Sequence, residues 1–559
     1  MGTLPKPTPT TMLQIGDILT STRTMEQRRI FRTNTICAGF RHVRVTYREK
    51  NQSMIKSRFW CRLAQSAIPT QYAAKAAPTF ATESSFRPSE VNLHIYGLFR
   101  TSCQFVLWPG LGAFPLLFAL TLLIGCSSGN GAPPAAKPAA FPSQWVVAWG
   151  ASPENALQTA ENPGGSEQSF RFLLLPTIDG TEERVHFSNL FGTSPITIGE
   201  ARLAVATGAG AAVDPTKDVS LTFNGASSIT IAAGQAVTSD PVNIAYTFGQ
   251  KLAVSIYVQG TFPALTQHDS QVTTNYASAS GAGDTTTDAT GAAFATADTE
   301  WFLLTGVDVF GPYQGTVALF GSSSIDGHNS NFGDTNSYPV MNVAIPGQDN
   351  DRPSDWLARQ LIAAGYRMGV LNAGQIADPA GEDGLTSNGT SVAGIDRMNR
   401  DVLKQAGIKA VVIYFGGVDL RDDCVPATNV EVSLTNMVSQ AQAAGVRVIL
   451  GTVPPAQYCS TSSPDLLPSA ANPYQGDLNP GPENPGSTQR RALNDWIRTT
   501  GAQLPDVVAI ADFDQALLYP PHPDFMMPSF YTNDNFHPNG VGYGVQSAAI
   551  PLASILGSQ

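Results

Sequence analysis

Cysteine is scarce in this sequence. There are six cysteines in 559 residues, and no two of them form a Cys-x-x-Cys pair. That spacing excludes a zinc ribbon and a thioredoxin-type redox motif. No glycine-rich phosphate loop of the P-loop or dinucleotide type follows a predicted strand, and no His/Asp cluster is spaced like a metal site. The sequence therefore predicts neither a cofactor nor a metal.

Positive charge is also scarce over most of the chain. Residues 1–100 hold 15 Lys and Arg against 5 Asp and Glu, which leaves 18 basic and 39 acidic residues for the remainder. Binding to a nucleic-acid backbone needs clustered Lys and Arg, so the acidic body excludes nucleic acid as a partner.

No uncharged apolar run is long enough to cross a bilayer with certainty. The run at 114–124, FPLLFALTLLI, has the length of a signal-peptide core, and Arg100 precedes it. It ends in Leu-Ile-Gly-Cys126, which resembles the bacterial lipobox, whose cysteine is lipidated. We interpret 100–126 as a lipoprotein signal peptide. The alternative is one anchoring helix over 105–124, and both place the body outside the cytoplasm, either periplasmic or at the cell surface.

The segments on either side of this signal have no means of building a core. Residues 127–142, rich in Ser, Gly, Pro and Ala, read as a flexible tether. Residues 1–99 are Arg-rich and lack a sustained apolar period. A start site placed too far upstream explains this leader better than a basic nucleic-acid arm, because a signal works poorly behind it.

Residues 143–309 predict a β-sandwich domain. Apolar residues alternate with polar ones in short runs, such as 185–187, 196–198 and 252–258, and turn residues such as Asn224-Gly225 separate the runs. This pattern is typical of an antiparallel sandwich. The isolated histidines of the domain, His186 and His268, are expected to be structural.

Residues 310–559 predict an α/β domain. Continuous apolar runs at 316–320, 410–415 and 446–450 are typical of strands buried on both faces, and helical patterns lie between them. Alternating strands and helices predict a doubly wound parallel sheet. In such a sheet, sites form at the carboxyl ends of the strands.

Two motifs fall at that edge. The sequence FGSSSIDG, 320–327, follows the first buried strand and presents serine hydroxyls on a turn. Near the C-terminus, Asp534 stands three residues before His537. An Asp in that place can hold the imidazole in the tautomer that accepts a serine proton.

Together with the opening WVVAWGASP and the run DRMNRDVLKQAGIKAVVIYFGGVDL, these motifs resemble the SGNH (GDSL-like) hydrolase superfamily, in the branch with an N-terminal β-domain. The resemblance covers most of 143–550. It implies a flavodoxin-like three-layer fold and a serine esterase acting on small acyl esters, often acetyl groups on sugars. It further implies Ser323 as nucleophile, His537 as general base and Asp534 as its orienting carboxylate.

The middle blocks of this family supply oxyanion donors beside the N–H of the nucleophile. In the second block the donor position falls on Ala377, with Gly374 as the alternative, and a backbone N–H serves from either. In the third block, Gly416-Gly417-Val418-Asp419, valine stands where the family has the donor Asn. Loss of one donor typically costs about 10²–10³ in rate. We considered Asn388 and His328 as replacements.

The departure at Val418 leaves three functional hypotheses. The first is an esterase, slowed or with a rebuilt oxyanion hole. The second is a non-catalytic surface lipoprotein that binds glycans through 143–309, and the third is an O-acyltransferase. The predicted partners are an acylated polysaccharide substrate and a membrane reached through lipidated Cys126.

Other residues near the predicted edge have structural interpretations. Cys424 and Cys459 follow two neighbouring predicted strands, and an exported chain permits a disulfide between them. Asp512 and Asp514 could be read as a glycosidase pair, but they belong to ADFDQAL, an ordinary part of the family pattern.

Overall fold

The computed structural model describes residues 141–331, 350–381, 392–456 and 485–557, with short gaps at 157–158, 161, 209, 270–271, 424, 531, 533 and 535. It also describes four short strands nearer the N-terminus: β1 (Val43–Tyr47) pairs with β2 (Ile55–Phe59), and β3 (Val91–Asn92) pairs with β4 (Gln104–Phe105). Cys126, Cys424 and Cys459 lie outside the described residues, so lipidation and the disulfide stay predictions. In the described part of the chain, no helix has the length and apolarity to cross a membrane.

The antiparallel β-domain is confirmed as two sheets. The larger sheet has the spatial order β10 (Ile229–Ile231), β8 (Ile196–Ala206), β12 (Leu252–Phe262), β6 (Gly165–Leu174), β14 (Asn275–Ala277) and β15 (Thr296–Asp298), with β9 (Val213–Ser220) on β8. The smaller sheet is β11 (Ala236–Thr238), β7 (Glu183–Ser188), β17 (Leu304–Gly311) and β5 (Gln144–Gly150). A separate pair joins β13 (Gln267–Asp269) to β16 (Glu300–Phe302).

Alternation along these strands builds the sandwich core. In β7 the side chains of Val185 and Phe187 are buried, whereas Arg184 and His186, which alternate with them, are only half-buried. The buried residues of both sheets, among them Trp149, Phe172 and Ile256, form one apolar cluster. Burial of one face of each sheet is what a period of two dictates.

The parallel α/β domain is also confirmed. Its five strands are β18 (Gly315–Gly321), β19 (Met368–Gly374), β20 (Ile408–Tyr414), β21 (Arg447–Gly451) and β22 (Val507–Ala511), and their spatial order is β19-β18-β20-β21-β22. All neighbours are parallel. Every residue of β18 and β19 is buried, as expected of strands covered on both faces. The strand order reverses at β18, which places the switch point of this doubly wound sheet between β18 and β20.

Helices connect the parallel strands and continue to the C-terminus. They are α1 (Ser323–Asp326), α2 (Pro353–Ala363), α3 (Gly394–Met398), α4 (Gly417–Arg421), α5 (Ala427–Ala443), α6 (Pro485–Thr499), α7 (Phe513–Leu517), α8 (Gly540–Ala548) and α9 (Ala553–Leu556). A π-helical turn, Asn399–Leu403, continues α3. A short hairpin, β23 (Leu518–Tyr519) and β24 (His522–Met526), precedes α8.

The β-domain and the α/β domain share a closely packed seam. The opening strand β5 runs against the edge of the parallel sheet, where the Val147 N–H donates to Thr316 Oγ1 at 3.0 Å. A Cβ at Gly369 would lie 1.9 Å from the Val147 carbonyl oxygen, so only glycine permits this approach. On the same seam the Val370 N–H donates to Thr177 Oγ1 at 2.9 Å. The WVVAWGASP segment is thus part of the core of both domains.

Candidate active site

The chain turns sharply after β18 and presents Ser323 at the switch point. Ser322 precedes α1 in extended conformation, and Gly327 ends the helix at φ +95°, a conformation that favours glycine. Ser323 is the first residue of α1, and the first N–H groups of a helix have no acceptor within it. The Ser323 N–H is therefore oriented away from the helix, as an oxyanion donor must be.

Ser323, His537 and Asp534 form a hydrogen-bonded chain. Ser323 Oγ lies 2.7 Å from His537 Nε2, and His537 Nδ1 lies 2.5 Å from Asp534 Oδ2. Of the three consecutive serines, Ser323 is the one that contacts the imidazole. The buried hydroxyl of Ser324 interacts with Tyr414 and Tyr543 instead and lowers the pKa of both phenols against the larger effect of burial. The side chains that the two motifs predicted as a triad are thus brought together in the order that proton transfer requires.

The Asp534 carboxylate is held on every side. Its Oδ1 accepts the N–H groups of Phe536 and His537, both at 2.9 Å, and the Thr532 hydroxyl at 2.9 Å. Its Oδ2 accepts Asn329 Nδ2 at 2.9 Å beside the His537 ring. Burial raises the pKa of Asp534, but the hydrogen bonds and charge of His537 outweigh it and hold the pKa well below its usual value. Asp534 is therefore ionised and can stabilise an imidazolium.

His328 lies directly against the triad. Its ring meets the edge of the His537 ring with 4.7 Å between centroids. Among the described residues, its buried Nδ1 has no hydrogen-bond partner. Burial and the neighbouring His537 lower the pKa of His328 to about 4, so it is neutral at pH 7. Asn388, which we also considered as a replacement oxyanion donor, lies outside the described residues.

The second block holds Ala377 in an unusual conformation. Its φ is +53°, in the left-handed region where glycine is the ordinary occupant. This conformation is consistent with the resemblance, which implies a glycine at this position. The N–H of Gly374, the alternative donor, is bonded to Asn372 Oδ1 at 3.0 Å. Ala377 stays the predicted backbone donor of this block.

Arg397 fastens the second block to the nucleophile turn. It is fully buried and donates through Nε and Nη2 to one oxygen, Oδ2, of Asp378, the residue next to Ala377. It also donates to the carbonyl of Gly321 at 2.8 Å and to that of Ala373 at 2.9 Å. A fixed planar fork of donors is what such a junction requires.

The third block forms the start of α4, where Val418 is buried with 2% exposure. Its side chain offers no hydrogen bond. Phe536, from the last block, packs on Gly417, since a Cβ there would meet the phenyl ring at 2.9 Å. Asp419 accepts the Ala380 N–H at 2.8 Å and so links the third block to the chain after the second. The third block thus retains its connections but not its side-chain donor.

The remaining candidates take structural places. Asp512 accepts two hydrogen bonds from Arg498, and Asp514 is paired with both Arg498 and Arg490. Carboxylates tied to guanidinium groups in this way fit the structural interpretation rather than a glycosidase pair.

One group of residues could hold a metal ion by proximity. A possible ligand atom of each of His328, Asp534 and His537 lies within 4.8 Å of the others. The sequence did not indicate this cluster, because His328 lies about 200 positions from the other two along the chain. Two of the three residues, Asp534 and His537, are already hydrogen-bonded to each other, and His537 is also bonded to Ser323. The donor set therefore fits a proton relay better than a metal centre.

Sequence reasoning also missed the residues that orient Asp534 and the second block. Thr532 and Asn329 stand beside the two motifs and contact Asp534, yet single Thr and Asn residues in loops carry no pattern of their own. Arg397 lies within a run that was noted only for its resemblance. No sequence signal distinguishes these residues from ordinary polar neighbours.

Comparison with known proteins identifies the second domain. Residues 319–545 match the model of the GDSL-like Lipase/Acylhydrolase family. No curated protein matches the chain.

Several solved structures resemble part of the chain. A carbohydrate acetylesterase family member from Sinorhizobium meliloti is 14% identical, with 44% of this chain and 100% of that one covered and a TM-score of 0.31. An aryl esterase from M. smegmatis is 15% identical, with 43% and 100% covered and a TM-score of 0.30. A GDSL-like lipase from Bacteroides thetaiotaomicron is 16% identical, with 43% and 88% covered and a TM-score of 0.26. Residues 319–545 of this chain thus carry a GDSL-like lipase/acylhydrolase domain.

Proposed function

We propose that this protein is a serine esterase that hydrolyses short acyl esters, acetyl esters of carbohydrates first among them, through an acyl-enzyme. The observation that carries the proposal is the 2.7 Å contact of Ser323 Oγ with His537 Nε2, backed by the Asp534 carboxylate on Nδ1. The short acyl chain and the carbohydrate alcohol are inferred from the family resemblance. Hydrolysis of esters that differ in these two groups tests both inferences.

The first half of the reaction acylates the enzyme. His537 Nε2 takes the proton of Ser323 as Oγ attacks the ester carbonyl, and Asp534 stabilises the imidazolium that forms. The N–H groups of Ser323 and Ala377 receive the oxyanion. His537 then gives its proton to the departing alcohol, which leaves an acyl group on Ser323.

The second half releases the acid. A water molecule gives one proton to His537 and attacks the acyl carbon, and collapse of the intermediate returns that proton to Ser323 Oγ. With Val418 in the third block, no side chain from that position stabilises the oxyanion in either half. We expect a turnover below that of a relative with a complete oxyanion hole, by about 10²-fold or more.

The glycan-binding alternative finds little support in the β-domain. Sugar rings bind to exposed aromatic faces, but every aromatic side chain in the described part of this domain is buried or half-buried. The acyltransferase alternative differs from the esterase only in the acceptor and is decided by product analysis.

The test is hydrolysis of 4-nitrophenyl acetate, butyrate and octanoate by the wild type and by Ser323→Ala. We expect the acetate to react fastest and Ser323→Ala to lose at least about 10³-fold in kcat. Circular dichroism of both proteins checks the fold. Equal rates for the two proteins would exclude the esterase.

The other two hypotheses are tested with the same proteins. Acetylated xylan should release acetate into water. Transfer of the acetyl group to an added sugar in preference to water would favour the acyltransferase. An inactive wild type that retains polysaccharide would favour the glycan-binding protein.

We also propose that the protein is exported and anchored through a lipid on Cys126. The lipobox-like sequence before that cysteine supports this proposal. In cells fed a radiolabelled fatty acid, the wild type should incorporate label and sediment with membranes, whereas Cys126→Ser should do neither. Equal labelling of the two would contradict the anchor.

A further inference from the structure

A buried cluster of charged side chains crosses the seam between the β-domain and the α/β domain. At its centre is His268, on β13 of the β-domain, with 2% exposure. Its Nδ1 lies 2.8 Å from the Ser152 carbonyl oxygen, and its Nε2 lies 3.1 Å from Asp326 Oδ1. The first contact lies in the segment after β5, but the second reaches across the seam into the catalytic domain.

Asp326 belongs to the nucleophile turn itself. It is the last residue of α1, three positions after Ser323, and it is fully buried. Asn372 on β19 holds the carbonyl groups of Ile325 and Asp326 at 3.0 and 3.3 Å. The side chain of Asn372 from the α/β domain and the side chain of His268 from the β-domain thus hold the same helical turn.

The charges around His268 explain why a histidine stands here. Glu154 Oε1 lies 3.7 Å from His268 Nδ1, and Arg352 Nη1 lies 3.8 Å from Asp326 Oδ1. Burial lowers the pKa of His268, but the charge and hydrogen bond of Asp326, with help from Glu154, outweigh it and raise the pKa to about 9. The ring is therefore an imidazolium at neutral pH and, together with Arg352, neutralises the buried Asp326 carboxylate.

His186 provides the natural comparison. It also contacts an aspartate, Asp308, at 2.8 Å, but both of these residues lie in the β-domain. A histidine of purely structural use is of this kind. His268 differs because its partner lies on the helix that begins with the nucleophile.

We propose that the β-domain is a built-in part of the active site, in which His268 is a positioning residue for Ser323. Its bond to Asp326 holds α1 where Ser323 Oγ meets His537. This inference rests on the proposed esterase activity. It also means that the β-domain acts through the nucleophile turn rather than as a separate binding module.

The experiment compares His268→Gln and His268→Ala with the matched control His186→Gln in the full chain. Glutamine keeps a donor for Asp326, and alanine keeps none. We expect kcat for 4-nitrophenyl acetate to fall by about 10-fold for His268→Gln and about 10²-fold for His268→Ala, because a displacement of about 1 Å at a reacting atom has effects of this size. KM of the His268 variants should stay within about threefold of the wild type, since no substrate contact is removed. The kcat of His186→Gln should stay within about twofold of the wild type, since the partner of His186 lies outside α1.

A double variant helps to distinguish loss of positioning from loss of folding. His268→Gln with Asp326→Asn removes both charges and keeps a polar pair, so it should unfold at a higher temperature than His268→Ala. The three His268 variants are also scored by their rate of labelling with a fluorophosphonate at a temperature where circular dichroism shows each to be folded. A folded variant that reacts slowly supports positioning.

The outcomes separate the two proposals. An active wild type with His268 variants of equal kcat would overturn the positioning role and leave the esterase standing. Losses that follow the fraction of folded protein alone would also overturn it. A wild type that neither hydrolyses the ester nor reacts with the fluorophosphonate would overturn the esterase, and with it the inference.

Discussion

The two sides of this active site differ sharply. On the nucleophile–base side, Ser323, His537 and Asp534 are joined by short hydrogen bonds, and the Asp534 carboxylate alone accepts five. On the oxyanion side, Ala377 sits in a backbone conformation typical of glycine, and Val418 is a buried apolar side chain. The first side is a connected set of polar side chains, and the second has no side-chain hydrogen-bond donor at either position.

The difference shows which functions tolerate substitution. An oxyanion donor supplied by the main chain survives a change of side chain, so alanine can follow glycine at 377 if the loop bears the strain. A donor supplied by a side chain does not survive replacement by valine. A proton relay does not tolerate substitution in this way. Each of its side chains must be of the required type and must lie within hydrogen-bond distance of the next.

The largest loss of activity is expected from a substitution within the triad. In Asp534→Asn the two N–H groups and the Thr532 hydroxyl keep the amide oxygen at the Oδ1 position, so the amide –NH2 faces His537 Nδ1. This favours the wrong tautomer, and kcat should fall by about 10⁴-fold. Steady-state kinetics with 4-nitrophenyl acetate measure it, with circular dichroism as the check on folding. A loss under tenfold would mean that Asp534 does not orient the base.

A substitution at Val418 should restore a side-chain donor to the oxyanion hole. Val418→Asn restores the donor type that the family uses, in a side chain slightly smaller than valine, and we expect kcat to rise by about 10- to 10²-fold. Val418→Leu, which adds bulk without a donor, is the matched control and should not raise it. An unchanged or lower kcat in a folded Val418→Asn protein would show that the oxyanion hole is completed by another group.

A third prediction concerns the bond between His268 and Asp326 in the nucleophile turn. The pKa of His268 is about 9 in the folded chain, above the value of about 6.5 usual for an unfolded one. Its contribution to stability is therefore fully present below about pH 6.5 and is lost as the pH rises through about 9. The Tm of the wild type should exceed that of His268→Gln by a few degrees at pH 6, and by less at pH 9.5.

The substitution His268→Gln leaves the other charged groups around or next to position 268 in place. These are Glu154, Asp269, Asp326 and Arg352. Glu154 has a pKa raised to about 8, chiefly by burial, so its own titration also lowers stability as the pH rises. A Tm difference that stays constant from pH 6 to pH 9.5 would contradict an imidazolium at 268.

The smallest effect is expected at position 377. Ala377→Gly should change the free energy of unfolding by only about 1 kcal/mol, because relief of the left-handed strain is offset by the freedom glycine gains in the unfolded chain. Its kcat should stay within about threefold of the wild type, since the N–H remains. Ala377→Val should lower both Tm and kcat, because a β-branched residue resists this conformation. Equal behaviour of the two variants would argue against a role for this loop.

The sequence predicted the fold well because its signals are local. The runs at 316–320 and 410–415 are short, apolar and bounded by glycine or polar residues, and they became β18 and β20. The alternation at 185–187 likewise became β7. A strand buried on one face alternates apolar and polar residues, and a strand buried on both faces is apolar throughout. Such patterns therefore predict burial directly.

The site was predictable only in part. Ser323, Asp534 and His537 stand in motifs that the family preserves, so the resemblance indicated them. His268 and Arg397 act through partners far away in the chain, Asp326 and Gly321 respectively, and no local pattern marks such contacts. His268 was expected to be structural, and only its position across the seam shows that its partner is the nucleophile turn.

The most direct test of this account is covalent labelling by a fluorophosphonate, followed by mass mapping of the tagged peptide. The account predicts one tag, on Ser323, in the wild type, little tag in Asp534→Asn and none in Ser323→Ala. A tag on Ser322 or Ser324, or an untagged wild type, would contradict it.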